Sequence, residues 1–134
     1  MVRAVEALER ARYHDAAALF RHAAQLDRGS LHAWLGLGIA STHTLDTATA
    51  EDALERAIEL APMDFFPRLR LAELYLRIGL PTKAHQALDR AMELSRDSAE
   101  RRMVRELVAV DKSRGARRIW RPDFTKAGYW RRPR

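Results

Sequence analysis

The chain contains no cysteine. Disulfide frameworks, thiolate-bound zinc and cysteine nucleophiles are therefore excluded, and a reducing compartment fits the absence. Glycine and proline are also scarce, at six and five of 134 residues, which argues against a turn-rich β architecture. No uninterrupted apolar run approaches the roughly 18 residues that a membrane-spanning helix needs. The opening stretch from Met1 to Arg10 alternates charged with apolar side chains and has no signal-peptide core. The setting expected from these features is cytoplasmic and bacterial. Lysine is rare, with 3 against 21 arginines, so the high isoelectric point carries little functional meaning by itself.

Catalytic and metal-binding patterns are missing too. His32 and His43 lie eleven residues apart, about 16 Å along a helix, and His14 and His22 are about 12 Å apart on the same geometry, so neither pair can share an ion. His85 stands alone, and no cysteine or paired carboxylate completes a ligand set. Glu51/Asp52 and Glu55/Glu59 sit beside Arg56 on a helical stretch and read as a solvated face with i,i+4 partners. Ser41-Thr42-His43 lacks an acid placed to orient the base. There is no glycine-rich phosphate loop; Gly36 and Gly38 fall inside a helical stretch, where small residues aid packing. The expectation is a protein with no catalytic residues, no cofactor and no metal.

What is present is helix-forming composition and an internal repeat. At one constant offset, Ala16, Ala50 and Ala84 align, as do Phe20, Leu54 and Leu88; Ala23, Ala57 and Ala91; and Leu26, Leu60 and Leu94. Leu37 pairs with Leu71 and Gly38 with Ala72 at the same offset. Such a period means a helical hairpin repeated along an axis, each unit too thin to bury its apolar face without the next. Gly29-Ser30, Ala61-Pro62-Met63-Asp64 and Asp97-Ser98 punctuate the units, and Asp97 with Glu100 resembles a capping box. Gly79 followed by Pro81 fits a helix stop and a helix start. The pattern predicts helices over 2–11, 14–27, 31–43, 48–60, 65–78, 81–95 and 98–113.

These residues resemble the tetratricopeptide repeat family. Residues 31–64 follow its pattern through Trp34, Leu37, Gly38, Ala50, Leu54, Ala57 and Pro62. Residues 65–98 keep Leu71, Ala72, Tyr75, Ala84, Leu88 and Ala91 but carry Arg68 and Arg96 where the family favours Trp and Pro. Residues 1–30 match only through Ala16, Phe20 and Ala23, and Arg3 stands where an apolar residue is usual. The resemblance implies an all-α fold: a right-handed superhelix of about three antiparallel helix-turn-helix repeats over 1–113, closed by a capping helix at 98–113. It also implies a concave groove lined by the first helix of each hairpin, which takes a peptide or helix of a protein partner.

By position in the resemblance, that groove is lined by His32, Leu35, Ile39, Thr42 and His43, then by Phe66, Leu69, Arg70, Glu73, Leu76 and Arg77, with Met103, Leu107 and Val110 from the closing helix. Leu35, Ile39 and Leu69 fall where the family's carboxylate clamp would need polar residues, so an acidic C-terminal peptide is not the expected ligand. The expected ligand is a hydrophobic or amphipathic segment, or the chain's own tail. The alternative is that these side chains pack between adjacent hairpins.

Residues 114–134 form a basic tail in which Pro122, Gly128 and Pro133 break any long helix. Residues 113–134 carry eight cations and one acid, whereas the charges of the chain before Ser113 balance to −1. Trp120, Phe124, Tyr129 and Trp130 are interleaved with those cations, and a tail rich in aromatics is unlike a disordered one. Trp120, Arg121, Phe124, Tyr129 and Trp130 are the candidate anchors. They could dock on a partner protein, on the chain's own repeats, on nucleic acid or on an anionic membrane, or the tail could be simply solvated. The functional expectation is an interaction module: an adaptor, assembly factor or chaperone. A nucleic-acid or membrane-surface binder acting through the tail, or a self-associating subunit of a larger assembly, is the alternative.

Overall fold

The computed structural model describes the backbone of residues 1–116 and the side chains of residues 1–110. The tail anchors Trp120, Arg121, Phe124, Tyr129 and Trp130 lie outside the described residues. Seven helices and no strand make up the described part: α1 (Val2–Glu9), α2 (Tyr13–Leu26), α3 (Leu31–Thr44), α4 (Thr47–Leu60), α5 (Phe65–Ile78), α6 (Pro81–Leu94) and α7 (Ser98–Ala116). None is long and apolar enough to cross a membrane. Each helix packs against the next, and the odd-numbered helices also touch in series, α1 with α3, α3 with α5 and α5 with α7. The even helices do not touch one another, so they stand as a second row set against the odd one.

The backbone repeats at the same period as the sequence. Among the described residues, positive φ is adopted by Ala11 at 58°, Leu45 at 62° and Gly79 at 79°. These three stand at the same offset from one another as Ala16, Ala50 and Ala84. Each ends an odd helix with the same pair of bonds. The amides of Arg12, Asp46 and Leu80 donate to the carbonyls of Ala7, Ser41 and Tyr75 at 2.8, 3.0 and 2.8 Å. The amides of Ala11, Leu45 and Gly79 donate to Leu8, Thr42 and Leu76. This is the Schellman arrangement, which satisfies carbonyls that a helix end otherwise leaves unpaired. It also explains why α1 stops at Glu9 and not at 11: Ala11 is the turn residue.

Only the third copy places glycine in this left-handed position. A left-handed conformation costs a branched L-residue about 1–2 kcal/mol, and glycine gives back about 0.5–1 kcal/mol in chain entropy. Leu45 is exposed, so its side chain contributes little packing. Leu45→Gly is accordingly expected to raise stability by about 0.5–1 kcal/mol, read as a higher urea midpoint with an unchanged m-value. A lower midpoint would mean that the Leu45 side chain holds the turn.

The entries to the helices repeat as well. Ser30 caps α3 by accepting from the Ala33 amide at 3.2 Å, and Asp64 caps α5 by accepting from Phe66 at 3.1 Å. At α7, Asp97 accepts from the Glu100 amide at 2.8 Å, while Glu100 reaches back to the Arg96 amide at 2.6 Å. The reciprocal pair read from the sequence is there, with the return bond landing one residue earlier than a capping box places it. The departure at Arg68 also has a physical account. Trp34 donates its indole N–H to the Arg28 carbonyl at 2.9 Å, and Arg68 donates Nη1 to the Pro62 carbonyl at 2.7 Å. Donor and acceptor both move by one repeat, from Trp34 to Arg68 and from Arg28 to Pro62, so the guanidinium keeps the bond that ties the loop to the following helix.

The core lies between the rows. Ala16, Ala50 and Ala84, with Phe20, Leu54 and Leu88, are all buried. α3 is squeezed from both sides. A Cβ on Gly36 would overlap the Phe20 ring of α2, and one on Gly38 would stand 2.6 Å from Leu54 of α4. The two glycines thus let both even helices approach α3. The fourth repeat column diverges: Leu94 joins Val104 and Leu107 of α7 in the core, while Leu26 and Leu60 are exposed.

Candidate partner-binding face

The faces of α5 follow from its contacts. The Tyr75 hydroxyl donates to Glu51 Oε2 of α4 at 2.8 Å, and Lys83 Nζ of α6 lies 5.5 Å from the Tyr75 ring centre. Tyr75 therefore faces the even row. Burial, and then the Glu51 carboxylate, push its phenol above the ordinary tyrosine range. Side chains advance about 100° per residue around a helix. Phe66, Glu73 and Arg77 therefore emerge on the opposite side of α5, away from α4 and α6, with Arg70 next to them and Leu69 and Leu76 at the margin.

That side carries an organised polar cluster. Arg70 Nη1 donates to Glu73 Oε1 at 2.9 Å and Oε2 at 3.0 Å. The Arg70 guanidinium carbon sits 4.6 Å from the centre of the Phe66 ring, which Phe65 meets edge-on at 6.0 Å. The pair is enclosed: Arg70 is 7% and Glu73 4% exposed. Burial pushes the Glu73 carboxyl up to about 7, against the opposing pull of the Arg70 charge and hydrogen bond and of the Arg77 charge. On the neighbouring odd helix, His43 stacks on Tyr13 of α2 with ring centres 3.9 Å apart and planes 5° from parallel. Thr42 is buried and donates its hydroxyl to the Gly38 carbonyl at 2.8 Å.

The positions expected to line a groove thus divide. Leu35, Leu69, Leu76 and Leu107 are buried within one apolar cluster that runs from α3 to α7. Phe66 and Met103 are half-buried against that cluster. Ile39, His43, Arg77 and Val110 are also half-buried, and His32 is exposed. The structure therefore brings Phe66, Leu69, Arg70, Glu73, Leu76 and Arg77 together on α5. Its apolar members at 35, 69 and 76 belong to the packing between hairpins rather than to open surface. Sequence reasoning missed two features. One is the Arg70–Glu73 pair, signalled only by an i,i+3 spacing that is common on solvated helices. The other is the stack of Tyr13 on His43, which joins side chains far apart in the sequence.

A second surface lies at the N-terminal end, where a shallow cleft is lined by Arg3, Glu6, Arg12, Asp15 and Leu19. Val2 and Val5 of α1 are exposed as well. Its charges are of both signs and all exposed, so it organises no ligand chemistry. Among the described residues no three His, Asp or Glu side chains converge in a way that could hold a metal ion. No model of a known protein family matches the chain, and no curated protein is significantly similar to it.

Proposed function

We propose that the protein is a non-catalytic, cytoplasmic interaction module of the tetratricopeptide repeat type. Its hairpins wind into a right-handed superhelix, and the odd helices line the inner groove. It acts as an adaptor, assembly factor or chaperone that holds an apolar or amphipathic segment of a protein partner. The observation that carries this reading is the enclosed Arg70–Glu73 pair on the side of α5 turned away from the even row. Enclosing two charges costs several kcal/mol per ion, on the order of what their mutual attraction returns. Such a pair is a poor way to hold a fold together and a good way to orient a ligand. Phe66 and Arg77, half-buried beside it, supply the aromatic and cationic contacts that recognition surfaces favour. Burying the partner's apolar area provides the affinity, at about 25 cal/mol per Å² before association costs.

The test places a photo-crosslinking amino acid at Phe66, and separately at the exposed Asp52 on the outer side of α4, in cells that make the protein. Illumination is expected to give a discrete adduct with one protein from position 66 and none from position 52, and Arg77→Glu is expected to reduce the yield several-fold. Adducts from position 52 alone would move the interface to the even helices, and adducts from neither would remove the case for an interaction face on α5.

A further inference from the structure

The repeat shows which side of a hairpin receives its neighbour. Ala4, Ala7, Ala16 and Phe20 of the first hairpin form one buried cluster with Leu37 and Ala40 of α3 and Ala53 of α4. A Cβ on Gly36 would likewise run into Phe20. Gly36, Leu37, Ala40 and Ala53 are therefore the positions with which the second hairpin receives the first. In the third hairpin, Leu71 and Leu74 are buried in the columns of Leu37 and Ala40. The first hairpin fills the same four columns with Val2, Arg3, Glu6 and Leu19, and all four are exposed. Among the described helices, α1 and α2 touch only each other and α3. The outer side of the first hairpin is thus half of a joint.

Chemistry limits what completes that joint. An apolar hairpin of the kind found at the inner joints would enclose Arg3 and Glu6 without partners, at several kcal/mol per ion. Neither side chain has an ion-pair partner among the described residues. The fitting surface must therefore carry an acid and a cation one helical turn apart, with apolar side chains beside them. This face is such a surface: its charges suit no single ligand, but they complement a copy of themselves. With a two-fold axis passing between residues 3 and 6, Arg3 of each copy meets Glu6 of the other. Val2 and Leu19 then supply the apolar area beside the charges.

We propose that the chain pairs with a second copy through the outer side of α1 and α2, in register set by reciprocal Arg3–Glu6 contacts. Charge pairs of this kind select the partner and the register more than they add affinity. Two short helices offer little area against the about 800 Å² per partner of a standard interface, so the dimer is weak and concentration-dependent. The pairing uses neither α5 nor its polar cluster, so it stands or falls apart from the partner-binding reading.

The experiment is sedimentation equilibrium of the full chain from micromolar to near-millimolar concentration, where a monomer–dimer equilibrium is expected. Arg3→Glu alone and Glu6→Arg alone should each weaken self-association at least tenfold, because like charges then meet twice across the axis. Mixed in equal amounts, the two variants should pair with each other about as well as natural copies do, the acidic face of one meeting the basic face of the other. Arg3→Glu combined with Glu6→Arg in one chain should regain self-association. Asp52→Lys, on the exposed outer side of α4, is the control and should change nothing. A chain that stays monomeric throughout would overturn the proposal and make the polar end a solvated cap. A dimer indifferent to both reversals, a loss that mixing does not restore, or equal sensitivity to Asp52→Lys would overturn it as well.

Discussion

Phe20→Ala is expected to destabilise the protein by about 3–5 kcal/mol, and Gly36→Ala is expected to change sign in its presence. The Phe20 ring is buried in the cluster of Ala4, Ala7, Ala16, Leu37, Ala40 and Ala53, and lies so close to Gly36 that a Cβ there would overlap its Cδ1, Cε1 and Cζ atoms. Five of those six buried neighbours are alanines, with Leu8, Ala17 and Trp34 packed at the margin, so the buried wall has little side chain to swing into the void left by a missing ring. Gly36→Ala in the natural chain sets overpacking, about 1–3 kcal/mol, against a helix-propensity gain of about 1 kcal/mol, and the enclosed ring has nowhere to go. A net loss is expected. With Phe20 already alanine, the same methyl enters the void and the propensity gain stands alone, so Gly36→Ala becomes stabilising. A double-mutant cycle by urea unfolding should therefore show coupling of about 2 kcal/mol or more. Additive effects would mean that α2 and α3 separate freely, and that the glycine does not set their distance.

That close approach marks how far the sequence could be read. The repeat period, the helical hairpins and the core columns at 16/50/84 and 20/54/88 follow from the spacing of small and large apolar residues, because a stacked array needs those residues at those positions. The small residues at 36 and 38 were legible as packing aids. The turn at Gly79–Pro81 was legible too, but those at Ala11 and Leu45 were not, since neither carries a glycine signal for its positive φ. Arg68 read as a departure from the family pattern, because composition does not say that a guanidinium will take over an indole's hydrogen bond. The binding face was legible as positions but not as chemistry. Leu35, Leu69 and Leu76 have the same hydrophobicity whether they line a groove or pack between hairpins, and only the neighbouring helices decide. Arg70 and Glu73 have the spacing of a solvated ion pair, and their enclosure is a tertiary property.

Breaking that pair is the other large effect expected. Glu73→Ala alone leaves the Arg70 cation without that carboxylate in an enclosed site and should cost about 3–5 kcal/mol, whereas Arg70→Ala should cost less, because the carboxyl it leaves behind can take up a proton. Replacing both, as Arg70→Leu with Glu73→Met, removes the desolvation cost along with the attraction and should leave stability within about 1 kcal/mol of the natural chain, or raise it. The pH dependence separates the two states of the carboxyl. Burial raises the folded-state pKa of Glu73 to about 7 from an ordinary value of 4.5, so between those limits the folded chain holds a proton that the unfolded chain has released. Stability from this group is then complete below pH 4.5 and is lost as pH rises through about 7, by at most about 3 kcal/mol. Glu73→Gln, which keeps the size and stays neutral, should flatten that slope in thermal melts between pH 5 and 8, while a slope unchanged by the substitution would place the titration elsewhere. Arg70→Leu should push the loss to higher pH, because burial then acts on the carboxyl without the guanidinium to oppose it. If the double substitution melts like the natural chain yet position 66 no longer gives the adduct in cells, the pair contributes to recognition and not to folding. A double substitution that loses several kcal/mol would instead make the pair a structural element, and would remove the observation on which the partner-binding reading of α5 depends.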